Sequence, residues 1–454
     1  MTAPRSRKSS RTAPAQPTPF DPVSEVCASH FPHLDPDVPR ILLAAWLGND
    51  PSIAFSDPLW LALIAPPSTL KTGLLTALAD ATGAYILDSL TPQTFISGLV
   101  REQEPGAKYG LLHQLGERPN LIIKDLSGIL STRSDNRGEI ISQFRCIYDG
   151  EYARATGTGG QDARARWRGR MTVIVGMTPI IDLYHTLNNQ LGERFIQLRF
   201  AVAEDDVVAA AGQALENAAA GFEQRTALAA AFRAAIAACG RHLNRGALTP
   251  PLRQRLQNLV AFVAKARTGV SRNSKGDVEQ PPSPEGPGRL TKQLAALACG
   301  LAALRGTGTL TEDDYRLVER VAFDSIPETR SKILWALYDR GARVLSGFRD
   351  YVKVSDPTIR KNLEDLALLG LAVEDATRVT KRYDPSPLGQ RYLDAARGKP
   401  PTRKAKLGGD TLHNPLTSPH SPPKSAFQAS EQPVGAHAQD SEATPSDAED
   451  GGRA

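Results

Sequence analysis

The run Pro58-Leu-Trp-Leu-Ala-Leu-Ile-Ala-Pro-Pro-Ser-Thr-Leu-Lys-Thr72 governs the reading of the whole chain. Its apolar part, Leu59 to Ile64, breaks into a proline-punctuated loop ending in Lys71-Thr72, just before a helical pattern. A strand that stops, a loop whose amides turn inward and a helix N-terminus facing the same point surround an anion with donors. Here Ala65, Pro66, Pro67, Ser68, Thr69 and Leu70 would form the loop, Lys71 would reach terminal phosphates and Thr72 would hold a magnesium ion. The usual spacing is G-x-x-x-x-G-K-[ST], and Ala65 and Leu70 stand at its glycine positions. Glycine tolerates positive φ and close backbone approach, so Leu70 is expected at ordinary negative φ or under strain. The plainer alternative is an apolar strand, a proline-rich turn and an ordinary lysine.

At 454 residues the chain can hold two or three domains, each with its own core. Hydrophobic content of 41% with 23% charged residues is ordinary for a soluble globular protein, and a net charge of +5 does not by itself announce nucleic acid. Cys27, Cys146, Cys239 and Cys299 are widely spaced and form no C-x-x-C pair. That pattern reads as reduced thiols rather than a disulfide frame or zinc site. No apolar stretch approaches the length of a membrane span, and the basic N-terminus lacks the apolar core of a signal peptide. No membrane partner and a cytoplasmic location are therefore expected.

Residues 1–20, rich in Ser, Arg, Pro and Thr, are expected to be disordered, and 21–57 to form a helical lead-in. Over 58–202, strand candidates Leu59 to Ile64, Leu121 to Ile123 and Thr172 to Val175, with a weaker one at Tyr85 to Asp88, alternate with helical or loop segments. Short buried runs of this kind predict an α/β core with a parallel sheet flanked by helices and ligand at the strand C-terminal ends. Residues 203–327 turn alanine-rich and helical, a lid-like all-α region, with a polar Pro/Gly-rich stretch at 268–288. Within 328–396, helix Glu328 to Arg340, helix Asp356 to Gly370 capped by Asp356, and a short basic hairpin outline a winged helix-turn-helix. Residues 397–454 read as a disordered tail.

Asp125 ends the second buried run, where a carboxylate can reach a metal opposite Thr72, although a lone Asp there is also a common helix cap. Lys124 precedes it and Leu126 follows, so one acid of the usual pair is missing. Thr178 ends the next strand and can hydrogen-bond a γ-phosphate or its water. Arg194 opens a further apolar run, where it could serve a neighbouring subunit or form a surface ion pair. Arg154, Arg164, Arg166, Arg168 and Arg170 cluster around Gly157-Thr-Gly-Gly160 and Trp167. Arginines with an interleaved aromatic on such a hairpin can grip phosphates and stack on bases, and a solvated basic loop is the alternative. In the C-terminal module Thr358, Arg360 and Lys361 begin the recognition helix, and Arg378, Lys381 and Arg382 lie on the wing.

The order of Ala65-Pro-Pro-Ser-Thr-Leu-Lys-Thr72, Ile122-Ile-Lys-Asp125, Val173-Ile-Val-Gly-Met-Thr-Pro179, Gly192-Glu-Arg-Phe195 and Gly288-Arg-Leu-Thr-Lys-Gln-Leu294 resembles AAA+ P-loop ATPases. Within them the chain is similar to minichromosome-maintenance helicases and the related self-loading helicases of mobile elements. Those helicases carry Ala in place of the glycine before the loop lysine, and their trans-acting arginine lies in Ser-Arg-Phe, matched here by Glu193-Arg194-Phe195. The resemblance implies ATP and Mg²⁺ as cofactors, a DNA partner and a homo-oligomer such as a hexameric ring. It also implies Arg194 acting in trans, Arg289 as the sensor arginine acting in cis, and the 154–170 hairpin touching DNA in a central channel. Their acid pair is Asp-Glu, so Asp125 could take either place; in the second, Lys124 would replace the metal-binding acid. An ATP-driven helicase or translocase is the expectation, and a nucleotide-gated DNA-binding initiator or switch with little hydrolysis is the alternative. A transcription regulator of the enhancer-binding class fits less well, because no Gly-Ala-Phe-Thr-Gly-Ala loop is present.

Overall fold

The computed structural model describes residues 17–53, 55–95, 110–155, 164–183, 194–217, 221–375, 377 and 380–399, without the side chains of Ser131, Arg154, Ala155, Arg164 and Ala165. The segments expected to be disordered, 1–20 and 397–454, lie outside these apart from 17–20 and 397–399. All described residues belong to one contact unit, Met1–Thr402.

Helices α1 (Asp21–His30) and α2 (Asp37–Leu47) lead into β1 (Trp60–Ile64), α3 (Lys71–Thr82), β2 (Tyr85–Leu87), α4 (Gly110–Leu115), β3 (Asn120–Ile123) and α5 (Ser134–Tyr148). An antiparallel hairpin, β4 (Glu151–Ala155) and β5 (Arg164–Arg168), precedes β6 (Thr172–Met177) and β7 (Phe195–Arg199). The five-stranded sheet has the order β2-β3-β6-β1-β7 and its pairings are parallel. This is an α/β fold consistent with a P-loop-like architecture. Strand β7 had been read only as an apolar run; it is the edge strand beside β1.

Alternation along β1 builds two cores at once. Leu61 and Leu63 face a layer that includes α2, α3 and the later helices, while Trp60, Ala62 and Ile64 face α4 and α5. Side chains on successive strand residues point to opposite faces, so a strand covered on both sides must be apolar throughout. Every residue of β1 and β6 is accordingly buried.

Beyond the sheet come α6 (Val207–Glu216), α7 (Gly221–Cys239), α8 (Pro250–Arg267), α9 (Gly288–Arg305) and α10 (Glu312–Asp324). The α10 start is a capping box between Thr311 and Asp314. Then follow α11 (Glu328–Tyr338), α12 (Leu345–Arg349), α13 (Asp356–Leu368), the hairpin β8 (Ala372–Asp375) with β9 (Arg382–Pro385), and α14 (Pro387–Ala396). Helices α12 and α14 are additions to the expected outline. Ser355, not Asp356, occupies the N-cap of α13; Asp356 is already inside the helix and pairs with Arg349, Nε to Oδ1 2.7 Å.

A buried ion cluster ties this C-terminal group to the helices before it. Arg330 donates to the Ala266 and Thr268 carbonyls at the end of α8 and to Asp365 of α13 at 2.9 Å, and Arg272 reaches the other oxygen of Asp365 at 2.6 Å. Among the described residues no helix is long and apolar enough to cross a membrane.

Candidate nucleotide site and nucleic-acid surfaces

The loop after β1 starts pinned to β6, with the Ala65 amide donating to the Met177 carbonyl at 3.2 Å. Ser68 and Leu70 both have φ of 64°, the positive-φ non-glycine residues among those described. Of the two expectations for Leu70, ordinary negative φ or strain, the second holds: the left-handed conformation demanded by the loop is taken by a leucine. Such a residue stores on the order of 1–3 kcal/mol, and strain of this kind gathers at ligand clamps. The Leu70 side chain turns back against the first turn of α3, its Cδ1 only 2.9 Å from where a Cβ on Gly73 would stand.

Lys71 is the first residue of α3. Its Nζ donates to the Met177 carbonyl at 2.7 Å and the Ala65 carbonyl at 3.3 Å, and the residue is only 7% exposed. Burial pulls its pKa below the ordinary lysine value, with the charge of Asp125 opposing. Thr69 closes the loop onto the Pro66 carbonyl at 2.8 Å, and Thr72 is exposed on the first helical turn, whose leading amides lack intrahelical acceptors.

Against this loop lies a cavity of about 320 Å³, walled by the α1–α2 connection, Ser68 to Leu70, the segment after β7, and α6. Phe31, Leu34, Phe200 and Val202 supply apolar surface, and His33, Gln213 and Asn217 polar groups. Asn217 donates to the His30 carbonyl at 3.0 Å, tying α6 across the opening. None of these residues carries a sequence signal, because their chain positions are far apart and no motif joins them.

Across from the loop stand the C-terminal ends of β3 and β6. Asp125 accepts the Ser127 amide at 2.8 Å and caps the 3-10 turn Leu126–Ser131, the role that its lone occurrence had left open. Its charge still acts on Lys71. Leu126 is buried at 1% exposure. Lys124 turns to Asp88 at the end of β2, 2.8 Å away, and its carbonyl lies so near Gly176 that a Cβ there would sit at 2.2 Å. Thr178 joins this bank through Ser127, whose Oγ accepts the Thr178 amide at 2.7 Å and bonds its Oγ1 at 3.0 Å. Ser127 was missed in the sequence; the Asp-x-Ser spacing of a side-chain-capped turn was the available signal. Among the described residues no group of three or more His, Cys, Asp or Glu could hold a metal.

Arg194, expected to act in trans, and Arg289, the expected sensor arginine, are brought together, but not at this loop. Arg194 precedes β7 at its N-terminal end, with its guanidinium 3.8 Å from Asp149 and its Cζ 5.9 Å over the Tyr148 ring. Arg289, in the first turn of α9, lies 4.0 Å from the same carboxylate and 5.2 Å over the same ring. Tyr148 packs against Trp60, the first residue of β1, at 4.9 Å. A strand length of about 15 Å therefore separates both arginines from Lys71. Arg289 thus stands near the opposite end of β1 from the loop of its own chain.

The arginine hairpin divides by face. Trp167 is a core residue, 4% exposed, with its indole donating to the Gly116 carbonyl at 2.7 Å, so it anchors the hairpin instead of offering a stacking surface. Arg170 is likewise structural, donating to the carbonyls of Phe55 and, at 3.1 Å, Ser56. Arg166 and Arg168 are exposed and share Glu151, at 2.6 Å for Arg166 Nε and 3.5 Å for Arg168 Nε. The side chains of Arg154 and Arg164, and Gly157-Thr-Gly-Gly160, lie outside the described residues.

On α13, Arg360 and Lys361 are exposed and make no ion pair among the described residues, while Thr358 bonds Ser355 at 2.9 Å. The wing charges are spent internally: Lys381 on Glu374 at 2.6 Å and Arg382 on Asp384 at 3.1 Å. Arg378 lies outside the described residues. Comparison with known proteins returned no matching family model and no matching curated protein.

Proposed function

We propose that the chain binds ATP at the Lys71 loop and acts on DNA, with an AAA+-type architecture in which the helical region is the lid and α11 to β9 the winged helix. The observation that carries this is Lys71 seated on the carbonyls of Ala65 and Met177 at the end of a loop whose left-handed Ser68 and Leu70 line a cavity of about 320 Å³. The phosphates would take over the lysine from its carbonyls and meet the amides at the start of α3, while Phe31, Phe200 and Val202 enclose the base. Thr72 and Asp125 would hold Mg²⁺, which neutralises phosphate charge; such an ion is bound through few side chains and the phosphates themselves, so a larger acid cluster is not required.

In a homo-oligomer, such as a hexameric ring, Arg289, whose side chain is 27% exposed, would serve the nucleotide of a neighbouring subunit, with the buried Arg194 beside it over Tyr148. Leu126, buried where a water-orienting acid would stand, favours slow hydrolysis and hence the nucleotide-gated DNA-binding reading over a fast helicase. DNA would meet Arg166 and Arg168 on the hairpin and Arg360 and Lys361 on α13, in contacts dominated by phosphate.

Two measurements test this. ATP binding by calorimetry should be lost in Lys71→Ala, and retention at the parent affinity would remove the nucleotide site from the proposal. Turnover with and without single-stranded DNA separates the modes: stimulated hydrolysis supports a motor, and tight binding with little turnover supports the switch.

A further inference from the structure

We infer that Ser127 is the residue by which this site distinguishes a nucleoside triphosphate from a diphosphate, an inference that rests on the proposed nucleotide site. Ser127 stands at the junction of the two strand ends opposite the loop. Its amide holds Asp125 at 2.8 Å, and its Oγ accepts the Thr178 amide at 2.7 Å and bonds the Thr178 hydroxyl at 3.0 Å. An amide can only donate, so one lone pair of Ser127 Oγ is committed, and the Thr178 hydroxyl fills the second. The remaining capacity of Ser127 is its own O–H, for which no acceptor is present among the described residues.

Lys71 reaches across from the loop to the bank that carries this donor. The Lys71 ammonium sits on the Met177 carbonyl, and Met177 immediately precedes Thr178. A polyphosphate running from the α3 N-terminus past Lys71 brings only its last phosphoryl group to this bank, because the earlier phosphates lie against the loop amides. With Leu126 buried and the Asp125 carboxylate able only to accept, the hydroxyl of Ser127 is the neutral donor left for that group. Thr178 then acts through Ser127, fixing its orientation, and Ser127 touches the ligand. Serine is preferred to an acid for recognition without repulsion, since a carboxylate there would face phosphate charge.

The test compares ATP and ADP affinities of the full chain by calorimetry for the parent, Ser127→Ala and Ser127→Cys. Loss of one hydrogen bond to a charged oxygen should weaken ATP by about tenfold or more in Ser127→Ala while ADP stays within about twofold. Ser127→Cys keeps the size and weakens the donor, so its ATP to ADP ratio should fall between parent and alanine; Ser127→Thr, which keeps the hydroxyl, should restore the parent ratio. Unchanged ATP affinity in both the alanine and cysteine variants, or equal losses for both nucleotides, would overturn the assignment. If Lys71→Ala abolishes binding of both nucleotides while Ser127→Ala spares ATP, this inference alone fails. If Lys71→Ala leaves both unaffected, the nucleotide site itself fails and takes the inference with it.

Discussion

Leu70 and Gly73 show how one side chain can occupy a position chemistry reserves for glycine. Leu70 adopts φ of 64° at the N-cap of α3, and the missing Cβ of Gly73 leaves space for its Cδ1. Replacing Gly73 by alanine gains about 1 kcal/mol of helix propensity but displaces the leucine from its rotamer, at a cost of about 1 kcal/mol. Gly73→Ala should therefore be close to neutral in the parent and stabilising by about 1 kcal/mol in a Leu70→Gly background. Urea denaturation of the four proteins reads the coupling, and an identical effect in both backgrounds would show that the two positions do not compete for the same space.

Among the elements, the β4–β5 hairpin is instructive because its charge is muted by its own first residue. Glu151 pairs across the strands with Arg168 and also holds Arg166, and these arginines pull its carboxyl below the usual carboxylate range. Two of the exposed hairpin cations are thereby partly spent before any DNA arrives. Glu151→Gln should release them, tightening single-stranded DNA binding and steepening its salt dependence by about one to two counterions. Fluorescence anisotropy across a salt series measures both, and a slope unchanged from the parent would remove Arg166 and Arg168 from the DNA surface. Trp167, by contrast, is the fixed root: its place in the buried core, opposite Tyr152 in the hairpin and bonded to the Gly116 carbonyl, makes it a support for the arginines, not a fellow contact.

For the molecule as a whole, the joint between the edge strand and the helices rests on charges whose balance depends on pH. Arg199 ends β7, donates to Asp182 at 2.6 and 2.9 Å, and takes Asp324 of α10 as the acceptor of its amide at 2.9 Å. Arg320 of α10 in turn reaches Asp35 at 2.6 Å, on the wall of the cavity against the Ser68 to Leu70 loop. Burial pushes Asp324 up to about 6, against the pull of the Arg199 amide and the two arginines. A carboxyl whose folded pKa is raised favours the fold most fully below its unfolded pKa of about 3.8, and that contribution fades as pH climbs through 6. Because about a fifth of the side chain stays open to water, the loss is about 2 kcal/mol rather than the full shift. Stability measured between pH 4 and pH 7.5 should fall by about that amount more in the parent than in Asp324→Asn. Parallel curves for the two proteins would show that Asp324 ionises in the fold as freely as in the unfolded chain.

Much of the architecture was readable from the chain because doubly covered strands must be apolar along their whole length. Leu59 to Ile64, Leu121 to Ile123 and Thr172 to Val175 announced β1, β3 and β6, and the proline-punctuated loop announced a helix after it, which begins at Lys71 itself instead of just past Lys71-Thr72. Strand β7 escaped because Gln197 and Arg199 interrupt its apolar pattern, and those side chains are accommodated because Arg199 donates to Gln197, to Asp182 and to the Asp324 carbonyl, while Ser325 and the Asp324 carboxylate accept the two backbone amides. The same distance hid the cavity walls, the bond from Thr178 to Ser127 and the meeting of Arg194 with Arg289 over Tyr148. Residue type and spacing prescribe local conformation, since φ, ψ and side-chain alternation depend on near neighbours. Which polar groups face each other across the sheet ends depends on strand order and helix packing, set by contacts between segments that no local pattern encodes.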